Sequence, residues 1–260
     1  MKTLQLAALV CALAAPIAGA PAANAAIYPV KDRQLTENPL YAAGPLPATT
    51  CGEPRVRRGD RARARAYVNA VLACLEKTWE RHLVDAGLGY KKVKVRHMSR
   101  IPKKYCGFDV TDEESQAWYC DRNDTFAFQI GKDWLDDPSD LWLFHTTAFM
   151  YGYHVQKLVA IDAAYDKLPY QNKSEFYEQS RRKSLQNDCL SAAFLKSVWP
   201  MKNRAEEDWY ALLDLVQGDR RGEKRWSGRT GTIKNWMRAG FKTGDPASCN
   251  TWTAPSSKVA

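Results

Sequence analysis

The feature that most constrains the fold of this chain is its set of cysteines. The 260 residues contain seven cysteines, and six of them lie beyond residue 50. An even number of cysteines is typical of a chain that folds in an oxidising compartment, where disulfides reinforce the hydrophobic core. No two of the six have the CxxC spacing of a zinc knuckle, which disfavours a metal site built on cysteines. Six cysteines allow fifteen pairings, and we predict the one that joins neighbours along the chain: Cys51–Cys74, Cys106–Cys120 and Cys189–Cys249.

The N-terminus predicts export. Residues 1–25 contain one basic residue, Lys2, then an apolar stretch, and they end in Ala-Asn-Ala. These are the three parts of a secretory signal peptide, and we predict cleavage after Ala25. A membrane anchor is disfavoured because the apolar stretch is shorter than the roughly 20 residues of a spanning helix. Cleavage removes the seventh cysteine, Cys11, and no later segment is apolar enough to cross a membrane, so we expect a secreted, extracellular protein.

The chain is basic, with a formal net charge of +9 that falls to about +8 when Lys2 is removed with the signal peptide. The excess charge lies in residues 55–65, 91–104 and 220–229. Two interpretations remain open: the charge serves solubility alone, or it attaches the protein to an anionic cell-envelope polymer or lipid surface. We expect no nucleic-acid partner, because the basic residues alternate with acidic ones and no recognition motif accompanies them.

The remaining residues are enough for one domain with a buried core. An irregular lead-in at 26–50 and a loose, polar tail at 253–260 are expected to flank it. Helical periodicity predicts five helices, at about 60–87, 138–161, 173–196, 206–216 and 230–239. Alternating patterns predict strands at 93–97 and 126–130, with a disulfide-closed loop from Cys106 to Cys120 between them. Strands early and helices late indicate a helix-dominated α+β domain with a small sheet.

Residues 149–156, which read Phe-Met-Tyr-Gly-Tyr-His-Val-Gln, resemble the zinc helix of the putative neutral zinc metallopeptidase family of bacteria. That family reads His-Glu-x-Gly-His-His-Val-Gln at this point. Four further stretches resemble the family in the same order, so the likeness extends over residues 51–252. They are Ala73 to Trp79, Cys106-Gly107 with Ala117 to Ile130, Leu185 to Cys189, and Gly240 with Thr243 to Pro246 and Cys249 to Trp252. The resemblance implies a single zincin-like domain.

The resemblance also assigns the positions of a zinc site. In a working member, two histidines four residues apart and a later carboxylate bind zinc, and a glutamate activates the metal-bound water. Here those positions hold Phe149, Tyr153, Ser184 and, for the glutamate, Met150. None of these side chains is an imidazole or a carboxylate. We therefore expect no metal, no cofactor, no catalytic residues and no ordinary zinc proteolysis.

Two polar residues of the family pattern survive. His154 matches the second of the consecutive histidines, which does not bind metal, and Asp188 follows Ser184 by one helical turn. We hypothesise that Asp188 accepts a hydrogen bond from the Tyr153 hydroxyl. A relocated metal site formed by His145 with Asp188 or His154 is conceivable, although His145 and His154 lie on opposite sides of one helix.

Two function hypotheses follow. The first is an exported, non-catalytic relative of the peptidases that binds a peptide or protein in the former active-site cleft, beside an open edge of strand 126–130, or that associates with the envelope. In a variant of this hypothesis, side chains have simply filled the cleft. The second is a hydrolase with a non-standard site built from His145, His154, Tyr153 and Asp188. The replacements at 149, 150, 153 and 184 favour the first.

Overall fold

The computed structural model describes residues 30–136, 140–202 and 204–260. The predicted signal peptide, the first residues of the lead-in and the predicted helix start at Pro138-Ser139 lie outside these residues. The described helices are α1 (Arg33–Thr36), α2 (Arg61–Asp85), α3 (Asp133–Asp136), α4 (Asp140–Leu158), α5 (Ile161–Lys167), α6 (Lys173–Ser197), α7 (Glu206–Leu215) and α8 (Thr230–Thr243). The described strands are β1 (Lys94–Met98), β2 (Lys104–Tyr105), β3 (Phe108–Asp109), β4 (Gln116–Cys120) and β5 (Thr125–Gln129).

The long helices begin and end where the sequence signals them. Asp60 caps α2, because its carboxylate accepts a hydrogen bond from the Arg63 backbone N–H at 3.0 Å. Gly87 follows the end of this helix with φ of +71°, a conformation that glycine adopts without strain. Asn172 caps α6 in the same way, through a 3.1 Å bond from Glu175 N–H. The helices predicted at about 60–87 and 173–196 are therefore confirmed.

A three-stranded sheet has the order β1-β5-β4. β1 runs parallel to β5, with Val95 opposite Phe126, and β4 runs antiparallel to it, with Tyr119 opposite Phe126. The expected open edge on strand 126–130 is wrong, because both edges of β5 are paired. The Cys106–Cys120 segment is closed by its disulfide, but it is not a plain loop, since it contains β3 and β4.

Four helices pack in the order α2, α4, α6 and α8, so α6 lies between α4 and α8. The sheet contacts this layer through α4, where the Phe126 and Tyr151 rings lie 6.1 Å apart. Phe144 of α4 stacks on Phe194 of α6 at 5.4 Å. Gly240 of α8 lies directly against the backbone of α6 at Cys189, and a side chain there would collide with it. The α4–α6 contact is thus fixed in the middle of the fold.

Both ends of the described chain are anchored. Leu35 and Leu40 of the lead-in are fully buried, although we expected this segment to be irregular. At the other end, Val259 is buried, and its carbonyl accepts a 2.9 Å hydrogen bond from Arg181 Nε. Arg182 Nη1 donates to the Ala254 carbonyl at 2.8 Å. The expectation of a loose tail is wrong, because buried arginines of α6 satisfy its backbone carbonyls.

The predicted disulfides Cys51–Cys74, Cys106–Cys120 and Cys189–Cys249 are all present. The predicted fold class, a helix-dominated α+β domain with a small sheet and three disulfides, is confirmed. Within the part of the chain that the structure describes, none of the helices combines the length and hydropathy that crossing a membrane requires.

Candidate functional site between helices α4 and α6

The structure brings most of the predicted site positions together where α4 crosses α6. Phe149 and Tyr153 of α4 meet edge to face, with ring centroids 5.6 Å apart. The Tyr153 hydroxyl lies near Ser184, Asn187 and Asp188 of α6, and burial, followed by the charge of Asp188, raises the pKa of that hydroxyl. Two half-buried aromatic rings therefore stand over a polar segment of α6. We call this arrangement the α4–α6 cleft.

Gly152 sets the close approach of the two helices. A Cβ atom at this position would lie 2.6 Å from Asn187 Oδ1 and 2.8 Å from Asn187 Cγ, so any larger residue would push α6 away. Asn187 is fully buried, and neither of its amide atoms makes a hydrogen bond within the described residues. The floor of the cleft is thus polar and tightly packed.

His145 and Asp188 form a buried pair at one end of the cleft. His145 Nε2 lies 3.8 Å from Asp188 Oδ1, and His145 Nδ1 lies 3.0 Å from the Ser191 hydroxyl. Burial lowers the pKa of His145 to about 4 and raises the pKa of Asp188 well above its ordinary value. Both shifts favour the uncharged forms. Among the described residues Asp188 accepts no hydrogen bond from Tyr153, so that hypothesis is wrong.

His154 lies on the opposite side of α4 from the cleft. It is fully buried, its Nε2 donates to the Lys91 carbonyl at 2.6 Å, and its Nδ1 lies 2.8 Å from the Tyr119 hydroxyl. Burial lowers the pKa of His154. Both ring nitrogens are used to join α4 to β4 and to the segment before β1, so His154 is not available to the cleft.

The donor set does not fit a zinc ion. Structural and catalytic zinc sites use at least three protein ligands drawn from imidazole, thiolate and carboxylate groups. In the α4–α6 cleft only His145 and Asp188 are of these types, while Phe149, Met150, Tyr153 and Ser184 occupy the other positions. Elsewhere in the described residues, one group of three candidate ligands converges, Cys106, Cys120 and Asp121, and both cysteines are joined in a disulfide.

Sequence reasoning missed Gly152, Asn187 and Ser191. The signal was available in part, because positions 184, 187, 188 and 191 recur at helical spacing and so lie on one face of α6. Polar residues at such spacing inside a helix are usually predicted to lie on its solvent-exposed face. Here the whole stretch is buried, which the sequence of α6 alone does not show.

Comparison with known proteins identifies the relatives of this chain. A family described as "Putative neutral zinc metallopeptidase" matches residues 37–219. "Uncharacterized protein YpfJ" of Escherichia coli (strain K12) is 27% identical over 207 residues, which cover 73% of this chain and 71% of that protein. The protein of the same name from Escherichia coli O6:H1 matches to the same extent. No solved structure matches the chain. The family match includes all of α4 and α6.

Proposed function

The chain belongs to the putative neutral zinc metallopeptidase family, and from that premise we propose that it is an exported, non-catalytic member that binds a peptide or protein in the α4–α6 cleft. The observation that carries the proposal is the chemistry of the cleft. Phe149, Met150, Tyr153 and Ser184 stand where the resemblance places the zinc ligands and the general base. Without the metal and the base, neither the water nor the scissile carbonyl is activated.

The surroundings of the cleft support a binding role. Phe149 and Tyr153 are only half-buried, so their rings offer apolar contact area beside the polar groups of α6. β4 is an edge strand of the sheet and packs against α4. An extended peptide could add to this edge through backbone hydrogen bonds while its side chains contact the aromatic rings. β4 thereby takes the role that the sequence had suggested for strand 126–130.

Export is supported by the signal-peptide pattern of residues 1–25 and by the three disulfides, which are typical of oxidising compartments. Association with an anionic envelope polymer is a further part of the proposal. It rests on the net charge, about +8 once the predicted signal peptide is removed, and on exposed basic residues such as Arg55, Arg57 and Arg58.

A hydrolase with a non-standard site is the second candidate, and the His145–Asp188 pair is the observation that favours it. The hydroxyl beside His145 belongs to Ser191, which is only 2% exposed and donates to the Asp188 backbone carbonyl at 2.8 Å. A nucleophile must reach its substrate, so this arrangement suits a structural hydrogen-bond network better than hydrolysis. His154, the other proposed member, faces the sheet.

Two measurements test the proposal. The zinc content and the peptidase activity of the purified protein on unfolded casein should both be at background, and one zinc per chain with casein cleavage would refute a non-catalytic role. A displayed library of random peptides should select sequences that bind the parent protein but not the Phe149→Arg variant. Tyr210→Arg, at an exposed tyrosine of α7, is the matched control. Equal binding to Phe149→Arg, with an unchanged melting temperature, would exclude the cleft as the binding site.

A further inference from the structure

An exposed group of aromatic rings lies at the start of α6, away from the His145–Asp188 pair. Tyr177 and Phe176 contact Trp226 edge to face, with centroids 4.7 Å and 5.6 Å apart, and Tyr170 lies 5.1 Å from Phe176. Tyr170 is 56% exposed and Trp226 is 43% exposed. Exposed aromatic residues that pack on one another form a patch, and such patches mark interaction surfaces.

Trp226 belongs to a closed loop that also displays basic residues. The Asp219 carboxylate accepts hydrogen bonds from the backbone N–H groups of Ser227 at 2.8 Å and Gly228 at 2.7 Å, which brings the two ends of the loop together. Arg220, Arg221 and Lys224 project between these ends and are exposed. Within the described chain none of the three makes a salt bridge, so their charge is directed at solvent.

Arg225 lies partly buried beneath this loop, and one edge of its guanidinium is unpaired. Its carbonyl accepts a 2.9 Å hydrogen bond from Arg181 Nη1, which fixes the backbone of the loop to α6. Its own Nε and Nη2 atoms are buried and have no hydrogen-bond partner among the described residues. These two atoms form the edge of a guanidinium that binds a phosphate or carboxylate bidentately.

The acidic groups nearest to this surface are engaged within the chain. Asp219 holds the loop closed, and Glu178 is paired with Arg182 at 2.7 Å. Glu223 accepts a 3.0 Å bond from the Arg220 backbone N–H and is the exposed acidic residue of the loop. The aromatic patch therefore has a positively charged border, and we call the two together the aromatic–basic surface.

We propose that the aromatic–basic surface binds the face of a membrane that contains anionic phospholipids. Trp and Tyr prefer the headgroup region, where an apolar ring and a polar tip are both accommodated. Arg220, Arg221 and Lys224 beside them are exposed and are attracted to anionic headgroups. A soluble anionic polymer would satisfy the charges but offers no apolar layer for the rings. This inference does not rest on the proposed peptide site, and the loop that carries Trp226 and the basic residues lies beyond the family match, which ends at residue 219.

Co-sedimentation of the purified protein with phospholipid vesicles tests the proposal. We expect binding to vesicles of mixed phosphatidylcholine and phosphatidylglycerol, little binding to pure phosphatidylcholine, and a decrease in binding with salt. Each basic residue near an anionic surface contributes about fivefold (~1 kcal/mol), so Arg220→Gln, Arg221→Gln and Lys224→Gln together should weaken binding about a hundredfold. Trp226→Ala should weaken binding with no change in net charge.

The matched control carries the same change of charge elsewhere. Lys77→Gln, Lys103→Gln and Lys242→Gln replace three exposed lysines outside the loop and should leave vesicle binding within about twofold of the parent if the surface is specific. The proposal is overturned by equal binding to neutral vesicles, by an equal loss in the control, or by no vesicle binding at all. It is also overturned if polyglutamate is bound as tightly as the vesicles and Trp226→Ala has no effect, since that result would indicate a polymer site.

Discussion

Adding one methyl group at Gly240 of α8 should clearly lower the free energy of unfolding. A Cβ atom added there would lie well inside van der Waals contact of the Cys189 carbonyl oxygen, and 3.0 Å from both Cys189 C and Ala193 N. These are backbone atoms of a buried helix and cannot move aside as a flexible side chain would. Overpacking of this kind costs typically 1–3 kcal/mol, and we take about 3 kcal/mol because the neighbours are rigid. Alanine regains about 1 kcal/mol of helix propensity, which leaves a net loss of about 2 kcal/mol for Gly240→Ala.

The same helix provides the control. Gly231 lies in the first turn of α8, and a Cβ added there meets nothing within 4 Å, so Gly231→Ala should stabilise the protein by about 0.5–1 kcal/mol. With about 2–4 °C per kcal/mol for a domain of this size, Gly240→Ala should lower Tm by about 4–8 °C and Gly231→Ala should raise it slightly. Circular dichroism melting with the disulfides intact measures both. A Gly240→Ala protein as stable as the Gly231→Ala protein would refute the close packing of α6 and α8.

Three further predictions concern the cleft and the disulfides. Phe149→His, Met150→Glu, Tyr153→His and Ser184→Glu made together should create zinc binding, which calorimetry of the folded variant detects; absence of binding would show that these positions do not correspond to the zinc site of the family. Because burial raises the pKa of Asp188, its carboxyl favours the folded state below its ordinary pKa and opposes it as the pH rises toward the elevated value. Asp188→Asn should therefore raise Tm at pH 7, and the gain should fade toward pH 4; a gain that grows on acidification would contradict the assigned shift. Replacing both Cys189 and Cys249 with alanine opens a link between residues 60 positions apart and should cost about 4 kcal/mol in urea unfolding, whereas a loss below about 1 kcal/mol would show that the docked C-terminal segment is held without it.

The helices were predictable because their capping residues mark the ends, and because the apolar residues that recur at helical spacing are the ones buried in the core. One break was not. The sequence predicts a helix that continues to about residue 161, but α4 ends at Leu158 and α5 begins at Ile161 after Ala160, which has φ of +60°. A left-handed turn is normally signalled by Gly or Asn, and an alanine gives no such signal. Tertiary packing of the buried Val159 and Ile161 on either side fixes the turn instead.

The strands and the cleft also contain features that the sequence alone does not predict. The sequence predicts a loop up to Cys120, whereas Gln116 to Cys120 form β4, which pairs with β5 across a short turn, with Cys120 opposite Thr125. In the cleft, the resemblance located Phe149, Tyr153, Ser184 and Asp188, and all four lie where α4 meets α6. The 3.8 Å approach of His145 to Asp188 joins residues 43 positions apart on two helices, and only the crossing of those helices determines which polar groups become neighbours.

The docked C-terminal segment has a consequence for the timing of folding. Arg181 and Arg182 sit inside α6, yet the carbonyls that satisfy them belong to Thr251, Ala254 and Val259. Until those residues emerge from the ribosome or a translocation pore, Arg182 has only Glu178 as an acceptor, Arg181 has only the Arg225 carbonyl, and Cys189 has no partner. The central helix of the domain is therefore completed only by its most distal segment. Vectorial emergence of the chain should keep the molecule open until that segment arrives.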